Sequence, residues 1–311
     1  MSRLGRYVAY SVLAVVGMAG GLTVHAQQGL PAPAATAAAP VAVQATPALW
    51  VMKGPKATVY LLGTIHIMKP GVEWHTAKVM AAVNQSQTLV EEVADLSDVA
   101  AIRPLMMQLG MDQEHPLSTK ITKEDLALVD GALKQMGAPG ESSVEPMRPW
   151  LVGLTLSVLP LMKAGYDPQS GVDMTLSKEF KAAGKPVAGL ETVEQQLHIL
   201  ADLPLADEVE SLHLQLKDLD HATADTEKTV AAWEKGDVAT IAKIENDEFV
   251  KEYPALYQKL VVARNKAWAE KLATMLQGEG TTLVAVGAAH LAGPDSVQTL
   301  LTAKGFTVTG Q

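Results

Sequence analysis

The chain has no cysteine among its 311 residues. That absence excludes a disulfide scaffold, a thiolate metal site and a cysteine nucleophile. Aromatic residues make up only 5%, and 25 basic residues face 34 acidic ones, for a formal charge of −9. Such a balance argues against nucleic acid as the main partner. The common catalytic signatures are missing as well: there is no HExxH, no GxSxG, no Walker A loop and no GxGxxG after a strand. What the chain does have is 48% hydrophobic residues, enough to bury a globular core. Its chemistry must come from His, carboxylates, Ser, Arg or a bound ion.

The N-terminus reads as an address. Arg3 and Arg6 precede an apolar stretch over residues 7–18, and Val24-His25-Ala26 offers a small-residue cleavage site. This order predicts a secretory signal peptide over residues 1–26. Gly17, Gly20 and Gly21 interrupt the apolar stretch, which falls short of the roughly 20 residues of a membrane anchor. No stable span is expected after cleavage, and the mature chain is expected in the periplasm or outside the cell. Residues 27–47 are almost all Ala, Pro, Gln, Val and Thr and read as a flexible tether. A single folded domain is expected over residues 48–311.

Within that body, residues 49–52 and 58–62 flank the turn Lys53-Gly54-Pro55-Lys56 and predict a β-hairpin. Further apolar runs at 89–93, 187–190 and 283–286 read as strands of one sheet, covered on both faces. Helical periodicity occupies 76–86, 98–110, 122–136, 149–164 and 173–183, and almost all of 192–278. The pattern predicts an α/β fold: a central mixed sheet with flanking helices. A large helical lobe is inserted between the N-terminal and C-terminal strands.

One short pattern occurs twice. Gly63-Thr64-Ile65-His66-Ile67-Met68-Lys69-Pro70 follows the first apolar run, and Gly287-Ala288-Ala289-His290-Leu291-Ala292-Gly293-Pro294 follows the last. Glycine at a strand end lets the backbone turn or approach a ligand closely. Each His then lies just beyond the carboxyl edge of the sheet, where open α/β sheets bind ligands. Each Pro suits the first turn of a following helix. Two such loops on neighbouring strands would bring both imidazoles together.

Between them, Thr88-Leu89-Val90-Glu91-Glu92-Val93 places two carboxylates in an apolar strand, which is costly unless they are paired or bind an ion. Glu91 and Glu92 point to opposite faces, so only one of them can face the histidines. On their own spacing the other polar candidates are ordinary. Arg264 lies on a polar helix and reads as a surface residue. Asp173 and Glu191 read as helix caps, and His75, His115, His198, His213 and His221 read as solvated.

The segments LWVMKGPKATVYLLGTIHIMKPGVEW, TLVEEV, PWLVGLTL, GVDMTLSKEFKAAGKPVAGLETVEQQL, ARNKAWA and VAVGAAHLAGPDSV together resemble the TraB/GumN family. That family is related to the Tiki proteases and, more distantly, to erythromycin esterase-like proteins and the haem-binding ChaN type. The resemblance marks Gly63/His66, Gly287/His290 and a strand carboxylate, matched better by Glu92 than by Glu91. It also matches Asp173, Glu191 and Arg264 to positions the family keeps polar. It implies an exported hydrolase using a divalent metal (manganese, cobalt or zinc) to cut a peptide or ester bond. His66, His290 and Glu92 are its expected ligands, with Asp173 a further candidate. Alternatively Glu92 would be the general base beside the ion, with Glu191 or Asp173 as ligand, and Arg264 would be the oxyanion stabiliser. The alternatives are an envelope protein binding haem or another metal complex, and an inactive scaffold in polysaccharide export. A peptide or small molecule is the expected partner.

Overall fold

Among the described residues, eight strands, six of them in one sheet, organise the helices around them. The computed structural model describes residues 43–94, 99–217 and 219–311. Its strands are β1 (Val43–Gln44), β2 (Leu49–Lys53), β3 (Lys56–Thr64), β4 (Val72–Glu73), β5 (Thr88–Val93), β6 (Val187–Glu191), β7 (Glu279–Gly287) and β8 (Val308–Gly310). The sheet has the order β6-β5-β7-β3-β2-β8, while β1 and β4 pair separately. The block β6-β5-β7-β3 is parallel throughout. β2 runs antiparallel to both β3 and β8. The fold is therefore α/β with a mixed sheet, and the four apolar runs share that sheet as expected.

Both faces of the parallel block are covered, which is why its strands lack strict alternation. On one face Val59, Leu61, Val90, Val284 and Val286 pack against Trp268, Ala269, Leu272 and Leu276 of the helix Ala263–Gln277. On the other, Leu62, Leu89, Val93, Leu283 and Ala285 belong to a larger core that includes Val79, Val83, Val172, Leu176 and Phe180. The helix Pro149–Lys163 is apolar all round because it serves two cores. Trp150, Leu154 and Val158 enter the large one, while Val152 and Leu156 join a third cluster with Val129, Leu133 and Leu212.

Three expectations need correction. The folded body begins before residue 48: Ala45 is fully buried, and the Thr46 N–H donates to the Glu234 carbonyl at 2.7 Å. Pro70 and Pro294 sit in turns rather than in the first turns of helices. The neighbouring Gly71 (φ 89°) and Gly293 (φ 80°) are left-handed and bend the chain there. The next helices start only at Ala77 and Val297. The expected signal peptide, and the tether up to residue 42, lie outside the described residues. Among the described residues, no helix is long and apolar enough to cross a membrane.

Candidate functional site

Four neighbouring parallel strands deliver four of the expected residues to one edge of the sheet. His66 follows β3 by two residues, Glu92 is the penultimate residue of β5, Glu191 is the last of β6, and His290 follows β7 by three. Parallel strands put all their carboxyl ends on the same side, the edge where α/β sheets place their sites. Asp173 comes from the first turn of the helix Val172–Ala182. Arg264 comes from the helix Ala263–Gln277.

The register decides between the two strand carboxylates. Val90 belongs to the face covered by the helix Ala263–Gln277, and Leu89 and Val93 to the opposite face. With a period of two, Glu92 follows Val90 toward Arg264, and Glu91 follows Leu89 away from it. Both are buried, so neither is the solvated residue that a strand end near water would provide.

Glu92 is the hub. Its Oε1 accepts from the Gly287 backbone N–H at 2.8 Å, and its Oε2 accepts from Arg264 Nη2 at 2.7 Å. The same Oε1 lies 3.7 Å from His66 Nε2 and 3.9 Å from His290 Nε2, too far for direct hydrogen bonds. His66 Nδ1 lies 2.7 Å from Asp173 Oδ2, and Thr64 Oγ1 donates to Asp173 Oδ1 at 2.7 Å. Among the described residues, the buried His66 Nε2 has no hydrogen-bond partner. Neither motif glycine has a left-handed backbone; each is needed for space. A Cβ on Gly287 would stand 3.1 Å from His66 Nε2 and 3.2 Å from Glu92 Oε1, and one on Gly63 would stand 3.3 Å from the Ala288 Cα.

Arg264 is not a surface residue but is 4% exposed. Glu191 holds its Nε at 2.9 Å and its Nη2 at 3.0 Å, and Nη1 donates to His290 Nε2 at 3.1 Å. Trp268 Nε1 also donates to Glu191 at 3.0 Å, so Glu191 is an anchor for the guanidinium and not a helix cap. The cap belongs to Thr192, which forms a capping box with Gln195. Asp173 likewise is not the N-cap, which is Gly171. A π-helical segment, Gln258–Val262, runs directly into the Arg264 helix. Arg264 shares the sheet-facing side of that helix with Trp268, Leu272 and Leu276, each four residues on from the last.

The two imidazoles are driven apart in charge. Burial works against a charged His66, but Asp173 and then Glu92 outweigh it and raise its pKa to about 10. Burial lowers His290 to about 3; Glu92 opposes this and Arg264 reinforces it. Desolvation disfavours ionised Glu92, yet Arg264, then His290 and His66, hold its carboxyl well below the usual range. On the opposite face, burial and then Asp173 raise Glu91 to about 9.

Several members of the site carry no motif of their own. Asn265 is fully buried and contacts His290. Gln196 Nε2 donates to Glu92 Oε2 at 3.4 Å. Asn246 fixes the second loop by donating to the Ala289 carbonyl at 3.0 Å and the Ala292 carbonyl at 2.8 Å. The one available signal was a polar residue in a helix that also carries apolar faces, as in Arg264-Asn265-Lys266-Ala267-Trp268. Four other described histidines stand away from this network. His75, His198 and His213 each pair with a carboxylate elsewhere, and the His115 side chain is 68% exposed. Among the described residues, no group of three or more His, Asp or Glu side chains lies at metal-holding spacing.

An α/β sheet whose parallel edge gathers two loop histidines, a strand carboxylate and a buried arginine defines the class of this protein. The chain belongs to the TraB/PrgY/gumN family, which matches it over residues 48–310. It is similar to an uncharacterized protein of Treponema pallidum, at 22% identity over 265 residues, covering 80% of this chain and 78% of that one. It is also similar to the uncharacterized protein YbaP of Escherichia coli, at 26% identity over 246 residues, covering 78% and 87%. No solved structure matches it.

Proposed function

We propose that the protein is an exported, metal-dependent hydrolase acting on a peptide or ester bond, with His66, His290 and Glu92 as the residues that would hold a divalent ion. The observation that carries this reading is the orientation of the imidazoles. Each ring has its Nδ1 against a side-chain oxygen, of Asp173 or Asn265, and its Nε2 toward the same Glu92 oxygen. Metal-binding histidines characteristically engage their second nitrogen in this way. The unpartnered His66 Nε2 and the bare Cα of Gly287 add a buried nitrogen and room beside it. Two neutral nitrogens and one carboxylate oxygen fit manganese, cobalt or zinc in kind.

Bound there, the ion would polarise a carbonyl and lower the pKa of a water. The remaining work falls to the chain's own groups. Asp173 accepts from His66 Nδ1 and so orients the ring with its Nε2 toward the ion's place. Arg264, kept cationic by Glu92 and Glu191, stabilises a developing oxyanion. Glu191 and Trp268 hold the guanidinium on its far side, making them positioning residues. Arg264 also competes with the ion, because its Nη1 occupies the His290 Nε2 lone pair in this arrangement.

The test is elemental analysis of protein purified without a His tag, with turnover of a peptide and an ester library. Manganese, cobalt or zinc near one per chain, lost with His66→Ala together with hydrolysis, is the expected result. Equal metal content in the wild type and His66→Ala would overturn the proposal.

A further inference from the structure

We infer that Asn265 is a positioning residue that fixes His290 as the Nδ1–H tautomer and so keeps its Nε2 lone pair turned to the site. Asn265 Nδ2 lies 2.8 Å from the Asp295 carbonyl and 3.2 Å from the His290 carbonyl. Carbonyl oxygens only accept, so the atom facing both must be the NH₂ group, and the amide has one orientation. Its Oδ1, which only accepts, therefore faces His290 Nδ1, at 2.6 Å. The nitrogen opposite an acceptor must carry a hydrogen. A neutral ring protonated on Nδ1 is bare on Nε2.

The opposite side of the ring agrees. Arg264 Nη1, which can only donate, lies 3.1 Å from Nε2. Trp268 flanks the ring with centroids 4.5 Å apart. Arg264, Asn265 and Trp268 belong to one helix, Ala263–Gln277, so a single rigid element grips both nitrogens and one side of the imidazole. Asn265 is 0% exposed, so water offers no substitute acceptor. Leucine would fill a similar volume but leave Nδ1–H and two backbone carbonyls without partners, which is costly in a buried site.

The role of Asn265 rests on hydrogen-bond geometry and stands apart from the metal proposal; only the zinc-affinity measurement depends on both. The experiment is ¹⁵N NMR of the imidazole nitrogens of His290 in full-length protein stripped with a chelator. Wild type, Asn265→Asp and Asn265→Leu are compared. The expected wild-type spectrum has a proton on Nδ1 and none on Nε2, and Asn265→Asp, which keeps an acceptor there, retains that pattern. Asn265→Leu should lose the protected Nδ1 proton. Zinc affinity of Asn265→Leu should fall about 10- to 100-fold, the usual effect of removing the partner of a ligating histidine, while Asn265→Asp keeps most of it. A bare Nδ1 in the wild type, or an unchanged His290 spectrum in Asn265→Leu, would overturn the inference whatever the metal result. If Asn265→Leu does not fold, the wild-type and Asn265→Asp spectra still decide. An intact Nδ1–H pattern with no zinc binding in any variant would leave Asn265 as assigned and remove the metal reading.

Discussion

The backbone N–H of Gly287 holds Glu92 Oε1 at 2.8 Å, so the glycine of the second loop serves the carboxylate of a neighbouring strand. Its φ of −49° is open to any residue; what only glycine supplies is the missing Cβ. Gly287→Ala should therefore keep the fold while filling the space between His66 Nε2 and Glu92 Oε1. The expected melting cost is about 1–3 kcal/mol, typical of overpacking, with metal binding and turnover lost. Calorimetric titration with zinc, alongside thermal melting, checks this; wild-type affinity in Gly287→Ala would count against an ion at that place.

Arg264 supplies the charge that balances Glu92 and Glu191, both of which it contacts from a buried position. Arg264→Met leaves those carboxylates without a cation, at an expected cost of about 3–5 kcal/mol. The same change frees the His290 Nε2 lone pair. Added manganese or zinc should then raise the melting temperature more in Arg264→Met than in the wild type, because only the wild type carries an internal competitor. Equal shifts in both proteins would rule out that competition.

If His66 and His290 serve one ion, removing either should abolish most of the binding. His66→Ala and His290→Ala would then each resemble the double variant in a metal titration, the non-additivity of groups acting as one unit. Folding will not be spared, as it would be for solvated loop residues, since both rings are buried within hydrogen-bond networks. Losses that simply add would mean separate sites.

From about pH 5 to 6.5 Glu91 and His290, whose pKa is lowered to about 3, oppose one another, and above 6.5 stability should fall as pH rises to about 9. Glu91, raised to about 9 from an ordinary 4.5, keeps its proton in the folded state after the unfolded chain has lost it. His66, raised to about 10 from 6.5, does the same over the upper part of that range. In both cases the folded state binds more protons, so the slope with pH is negative. Glu91→Gln should leave stability rising from about pH 5 to 6.5, through His290, and falling less steeply above it, whereas His66→Gln should change the curve only above about pH 6.5. Denaturant titrations at four pH values measure this, and a wild-type stability that rises with pH above about 6.5 would refute it.

The sheet and the paired histidines were legible because strand periodicity and G-x-x-H spacing are local. Spacing alone narrowed the carboxylate to Glu91 or Glu92, and only the family resemblance favoured Glu92, since the face of each is set by the partner strands. Arg264 and Asn265 were hidden for a different reason. They occupy adjacent positions on a helix rich in polar residues, and although Arg264 stands four residues before the buried Trp268, its partners Glu191 and Glu92 lie 73 and 172 residues away in sequence. Asp173 was visible as a polar helix start, but its partnership with His66 spans 107 residues and is a product of tertiary packing. The misplaced prolines have a local cause, the left-handed glycine next to each.

β7 is near the end of the chain yet lies between β3 and β5 in the sheet. A ribosome-bound or partly translocated chain that has presented everything before residue 279 holds β3 and β5 with a strand-wide gap between them. It also lacks the Gly287 amide and the His290 imidazole. Shortening the protein from its C-terminus by 35 residues would thus remove the keystone of the sheet, exposing two unpaired edges of the kind that drive aggregation. An ion captured by His66 and Glu92 alone would have to wait for residues 279–290 before its site closed.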